Sequence, residues 1–315
     1  MSPFLPWAAT LTAGQHMLVY FFLVVSVLAL FAGFVRTVAT RSEVGARYQT
    51  ANLARLGLTG VATLSYVLLL VNFGAAYDRT AAGWVPNDTA IYAFAPRFME
   101  WAVSVPLLTI ELLAVCVLAG PVLRRTRGLA IAGSFFMVFC GFLGAIIDGT
   151  TAGLIGWGLA SVAFWIATNV VLIRAVRRSY ASLTPDSALV LRNATIVLLG
   201  GWFVYPLVYL IQFFGDGGFW ATTTQIVLCI ADVLVKVGFG GLTHRLAKLR
   251  TAEDVRAGED VHFEAIWISS EKQSDAGLPR EVYLADDQIV HRRRVKPAEA
   301  TAVASPIEIQ PSEFD

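Results

Sequence analysis

Long apolar stretches alternate with short polar ones along the chain. Those long enough to cross a hydrocarbon layer fall at about 13–38, 50–73, 97–119, 128–148, 152–175, 189–213 and 222–246. This pattern predicts an all-α membrane protein, a seven-transmembrane-helix bundle filling residues 1–250. The polar positions give it a direction. The connections after the first, third and fifth stretches carry Arg36, Arg41 and Arg47, then Arg124, Arg125 and Arg127, then Arg174, Arg177 and Arg178. Arg245, Lys248 and Arg250 follow the seventh, whereas 149–151 and 214–221 contain no Lys or Arg. An excess of basic residues on alternate connections predicts an N-terminus outside and a C-terminus in the cytoplasm. The longest connection, 74–96, contains Gly83, Trp84, Val85 and Pro86 and suits an outer hairpin. No basic segment precedes a small-residue cleavage site, so no cleaved signal peptide is expected.

Composition agrees with a chain embedded in a lipid bilayer as a multi-pass protein of the cell membrane. Hydrophobic residues make up 56% and charged residues 15%, and mean hydropathy is +0.63. The net charge of +1 hides a segregation, because most of the acids lie beyond residue 250. Residues 251–315 are therefore expected to be a largely disordered cytoplasmic tail. Within it, 263–268 and 282–294 alternate enough to fold back or bind a partner. Nucleic acid is not an implied partner. No glycine loop suits a nucleotide, no metal site is expected, and Cys116, Cys140 and Cys229 read as small buried hydrophobes.

Against this apolar background the ionisable residues inside the spans carry the chemistry. Lys236 lies one helical turn after Asp232, on the same face. A buried ammonium is expected to be paired, deprotonated or covalently modified, so two readings stand. One is a structural ion pair, and the other is an amine that condenses with an aldehyde while a carboxylate balances its charge. The third span holds Arg97, Glu100 and Glu111, with Glu111 about 16 Å deeper than Glu100 at 1.5 Å per residue. Acids staggered in this way suit a proton relay, although polar groups also hold helices together. Trp202, Tyr205 and Tyr209 form an aromatic stripe in the sixth span that is ordinary core or one wall of a slot.

Three ordered motifs resemble the microbial rhodopsins. They are Arg97 to Trp101 with Pro106, then Trp202 to Pro206 with Tyr209, and finally Asp232 to Lys236 with the glycines that follow. The likeness runs from about residue 13 to 247. It implies a light-absorbing protein that is not an enzyme, with all-trans retinal as a covalent Schiff base on Lys236. It also implies Glu100 and Asp232 as counter-ions, Arg97 balancing them from outside, and Tyr66, Tyr205 and Ser104 as hydrogen-bond donors near them. By the same likeness Trp101, Leu108, Met137, Trp157, Trp202, Tyr205, Pro206 and Tyr209 line the polyene. Glu111 falls where pumping members keep a cytoplasmic proton donor. Three positions depart from the commoner pattern. Glu100 replaces Asp, Ser104 replaces Thr, and Thr224 stands where bacteriorhodopsin-like pumps have an acid.

Arg55 is the largest departure. It lies 11 residues before Tyr66, the offset that also separates Glu111 from Glu100, so Arg55 and Glu111 share one depth on neighbouring helices. An inward guanidinium would hold Glu111 as a carboxylate, whereas an outward one would reach the headgroups. An arginine here, with Glu100, Ser104 and Glu111, resembles the cryorhodopsin subgroup. That likeness implies a slow photocycle, a long-lived short-wavelength state, and photosensory output with weak proton translocation. A homo-oligomer and a cytoplasmic or membrane transducer are the partners it implies. The alternative is a light-driven outward proton pump.

Overall fold

The computed structural model describes residues 3–258. The patches at 263–268 and 282–294 and most of the expected tail lie outside the described residues. Seven helical segments follow one another: α1 Ala13–Ala39, α2 Gln49–Ala75, α3 Pro96–Ala114, α4 Gly120–Asp148, α5 Thr151–Tyr180, α6 Pro185–Phe214 and α7 Gly217–Arg256. Successive helices pack side by side, and α7 returns to α1, closing a ring. Large apolar side chains such as Met17, Leu28, Leu64, Leu159 and Phe219 face outward. The interior holds Arg55, Arg97, Glu100, Glu111, Asp232 and Lys236. This inversion of the soluble pattern suits a lipid surround, where only groups satisfied inside the protein can be polar.

Six of the seven helices are long and apolar enough to cross a membrane. The remaining one, α3, has 19 residues and carries three of the buried ionisable groups, Arg97, Glu100 and Glu111. It ends at Ala114, earlier than hydropathy predicts, and Ser179 Oγ receives the freed backbone N–H of Val117 at 2.9 Å. Conversely, α4 and α5 overrun the apolar stretches. Arg124, Arg125 and Arg127 begin α4, and Arg174, Arg177 and Arg178 end α5, because a helix outlasts the hydrocarbon once its ends can be charged. The helix α7 likewise continues to Arg256, into the segment expected to be tail.

Capping and proline positions set the boundaries. Thr12 and Gln15 form a reciprocal capping box on α1, and Thr150 and Thr184 cap α5 and α6. Pro206 has no N–H and its ring crowds the carbonyl four residues back, at Trp202. The α-helical pattern of α6 accordingly breaks between Trp202 and Val204. In α7 the stretch Leu234–Gly238 is a π turn, with Lys236 at its middle. The 74–96 connection forms a hairpin, β1 Tyr77–Thr80 with β2 Gly83–Pro86. Trp84 of β2 bridges to Leu11 and stacks 3.9 Å from the His16 ring. Gly83, at φ 116°, is required there, since a Cβ would lie 2.7 Å from the Leu11 carbonyl oxygen.

Candidate functional site

The π turn presents Lys236 to α3, where Nζ lies 2.6 Å from Glu100 Oε2 and 3.3 Å from Asp232 Oδ2. The two carboxylates are held differently. Asp232 accepts hydrogen bonds from Tyr205 at 2.5 Å, Tyr66 at 2.7 Å and Trp101 Nε1 at 3.1 Å. Glu100 keeps one oxygen, Oε1, with no protein partner. Ser104 lies against Glu100, but its fully buried Oγ makes no hydrogen bond of good geometry, so the expected donor set reduces to the two tyrosines and Trp101.

Arg97 extends this centre toward the hairpin end. It donates to Tyr66 Oη at 2.8 Å and to Gln225 Oε1 at 2.7 Å, and its NH2 also approaches Cys229 Sγ at 3.7 Å. Tyr66 therefore accepts from Arg97 and donates to Asp232, tying the guanidinium to the carboxylate. Two cations and two carboxylates balance, as buried charges must. The sequence reading missed Gln225 and took Cys229 for a small buried hydrophobe. Their signal was position, about two turns and one turn before Asp232 on the same helix.

A second buried pair lies deeper. Arg55 faces inward, and its Nε meets Glu111 Oε1 at 2.8 Å. Arg55 NH2 also reaches Thr243 Oγ1 at 3.2 Å, and the Thr243 hydroxyl donates to Glu111. Glu111 Oε2 has no protein partner. Gly240 gives Arg55 its room, since a Cβ there would lie 3.2 Å from Arg55 Cδ. Near the end of this side, Glu43 accepts from His244 Nε2 and Lys248 Nζ, each at 3.0 Å. Burial alone would raise the Glu43 carboxyl, but these two partners hold it below the usual carboxylate range.

Beside the first centre lies a cavity of about 320 Å³. Phe98, Trp101, Met137, Trp202, Tyr205, Pro206 and Tyr209 are among its lining residues. Its size and apolar lining suit a small hydrophobic ligand. Trp101 and Tyr205 belong both to this wall and to the donors on Asp232, so cavity and charged centre meet there. Four predicted contacts fall elsewhere. Lys236, Leu108 and Tyr66 are buried outside the wall, with the amine drawn to Glu100. Trp157 is 39% exposed. On α5 the cavity is lined by Leu154, Ile155, Gly158, Leu159, Ser161, Val162 and Trp165, and Trp157 is not part of that lining.

Gly158 and Gly144 make room for Tyr209. A Cβ on Gly158 would come within 2.9 Å of the Tyr209 ring, and one on Gly144 would strike its hydroxyl. Gly158→Val is expected to displace Tyr209 from Leu154 O, which it meets at 2.9 Å, and to cost about 1–3 kcal/mol by overpacking. Thermal unfolding of the purified variant checks this, and an unchanged midpoint would refute the crowding.

A ring of seven membrane helices, with a buried amine between two carboxylates and an apolar slot alongside, defines a class of retinal-binding membrane proteins. The profile of the family described as "Bacteriorhodopsin-like protein" matches residues 17–249, and the chain belongs to that family. Sensory rhodopsin-2 of Natronomonas pharaonis is 27% identical over 216 residues, 67% of this chain and 82% of that protein. The bacteriorhodopsin of a Haloterrigena species is 29% identical over 190 residues, 58% and 69% of the two chains. The crystallographic structure of xanthorhodopsin, "a light-driven ion pump with dual chromophore", superposes with a TM-score of 0.71 at 26% identity, covering 78% of this chain and 98% of that one. Members of the family bind retinal through a Schiff base to a lysine and are photoreceptors or ion pumps rather than enzymes.

Proposed function

We propose that the chain is a photoreceptor of the cryorhodopsin type, with a slow light cycle, photosensory output and weak proton translocation. The observation that carries this reading is the 2.8 Å contact between Arg55 and Glu111. In this assignment Lys236 holds retinal covalently, and Trp101, Met137, Trp202, Tyr205, Pro206 and Tyr209 confine it. The apolar slot and the buried Lys236 between carboxylates support that fit. When bound, retinal supplies a light-driven isomerisation that changes the direction and basicity of the nitrogen it shares with Lys236.

The side chains then divide the work. Glu100 Oε2 takes the proton from Nζ, since Glu100 Oε1 lacks a donor while Asp232 is held as a carboxylate by three. Arg97 and Tyr66 keep Asp232 in place. Glu111, with Arg55 against it, has no proton to return, so the state in which Nζ is deprotonated persists. The end bearing Arg55 faces the cytoplasm in this reading, as the basic connections require. Output then passes to a transducer rather than into sustained pumping.

The outward-pump reading draws support from Glu111 itself, a buried carboxyl at a suitable depth. Flash photolysis of the pigment in vesicles separates the two. Recovery over seconds or longer with little external acidification supports the sensor, whereas millisecond turnover with steady acidification refutes it. Glu100→Gln removes the negative charge beside Nζ. It is expected to lower the pH at which the visible band is lost and to shift the remaining band to the red. The titration will belong to Glu100, Asp232 and Nζ together. An unchanged colour and pH dependence would exclude Glu100 as acceptor.

A further inference from the structure

Two sides of the large slot approach the surface of the bundle, and they are built differently. At the hairpin end, residues 3–12 cross it as a strap. The backbone N–H of Phe4 donates to Gln212 O at 2.8 Å, the Trp7 ring packs 5.3 Å from Phe94, and Leu11 pairs with Trp84 of the hairpin. Pro6 and Phe94 line the cavity beneath. This end is also polar, since Gln212 Oε1 and Thr224 Oγ1 are buried on its wall without a protein partner. Between α5 and α6, by contrast, the wall is apolar and one side chain thick. Ile155, Leu159, Leu210 and Phe213 line the cavity and at the same time face outward, with Leu159 67% and Leu210 50% exposed. Gly158 lies on the same wall and adds no side chain to close it. Deeper between these two helices Trp165 meets Phe203 at 5.9 Å and bounds the thin stretch.

We propose that all-trans retinal enters sideways from the bilayer, between α5 and α6, and that Ile155, Leu159, Leu210 and Phe213 form the portal. The proposal rests on the assignment of retinal to this slot and of its attachment to Lys236. An apolar polyene collects in hydrocarbon rather than in water. The thin wall opens into that hydrocarbon, whereas the hairpin end is roofed and polar. Entry therefore needs side-chain rotation at the portal and no unroofing of the strap. The aldehyde leads, because Trp101 and Tyr205, which donate to Asp232, mark the inner wall where the charged centre meets the slot. Once there, one ammonium proton of Lys236 passes to Glu100, C=N replaces C=O, and the aldehyde oxygen leaves as water with the two remaining Nζ hydrogens. The proton on Glu100 then returns to the nitrogen.

The test is the rate at which the visible band grows when all-trans retinal is added to the full chain, prepared without it, in lipid vesicles. Retinal-to-lipid ratios are chosen so that this rate rises in proportion to the ratio, which makes arrival rather than condensation limiting. Adding empty vesicles at fixed retinal and protein should slow growth in proportion, whereas diluting the whole suspension with buffer should leave it unchanged. Leu159→Trp/Leu210→Trp should fill the portal and slow growth roughly tenfold or more. Leu159→Ala/Leu210→Ala should widen it and quicken growth several-fold. Trp7→Ala, which loosens the strap, should leave the rate as it is. A band that never forms in wild type would sink the retinal assignment and the portal with it. A band that forms at unaltered rate in both double variants, or uptake quickened by Trp7→Ala alone, would overturn the portal and leave the assignment standing.

Discussion

Lys236→Ala, expressed with all-trans retinal, is expected to show no visible absorption band. The substitution removes the one amine placed between Glu100 and Asp232, at 2.6 and 3.3 Å. It also leaves two buried carboxylates facing Arg97 alone, an imbalance of the kind that costs about 3–5 kcal/mol. Folding must therefore be verified by helix content and monodispersity before the spectrum is interpreted. A normal visible band in well-folded Lys236→Ala, without added amine, would falsify covalent attachment at this residue. Lys236→Arg offers a second control. It keeps the cation but presents a guanidinium that does not condense with an aldehyde at neutral pH, so it too should be colourless.

The second large effect is expected at Arg55. Its guanidinium holds Glu111 at 2.8 Å and also donates to Thr243, which itself donates to Glu111. With Arg55→Gln the carboxyl loses its cation but stays buried, so the neutral acid becomes the favoured form. A positioned acid commonly contributes about 10²–10⁴ in rate, so decay of the short-wavelength state should accelerate at least tenfold. Light-driven acidification should rise with it. The double variant Arg55→Gln/Glu111→Gln should lose the acceleration. Unchanged decay in the single variant would remove Arg55 as the brake, and acceleration that survives loss of Glu111 would show that Arg55 acts by another route.

Much of this site was legible in the sequence because a charge is conspicuous in an apolar helix. Asp232 and Lys236 announced themselves by a four-residue spacing, and Arg55 and Glu111 by equal offsets from two landmarks on neighbouring helices. What hydropathy could not supply was rotation. Along α5 nearly every residue is apolar, so nothing distinguished the face of Trp165 from that of Trp157. Thr243 carried no charge to mark it, and its place beside Glu111 depends on a π turn that has no signature in composition. Ser104 lies beside Glu100 yet its Oγ makes no hydrogen bond of good geometry to either carboxylate, because hydroxyl direction depends on rotamer rather than on position. Helix lengths failed for a simpler reason, since apolarity records the thickness of hydrocarbon and not the extent of backbone hydrogen bonding.

The π turn at Leu234–Gly238 means that α7 contains one residue more than a continuous α-helix would use over the same rise. The extra residue is absorbed in the wide turn, so the segments on either side keep one helical phase. The segment ahead of the turn aims Asp232 at the tyrosines, and the segment behind it aims Thr243 and His244 at Glu111 and Glu43. Deleting a single residue just after Lys236 would let the segment wind as an α-helix over the same rise, so Asp232 on one side and Thr243 and His244 on the other would keep their aims. The turn thus works as a splice between two modules. The loss of one residue there is taken up in the winding, without re-aiming the half that holds Asp232 or the half that holds Thr243.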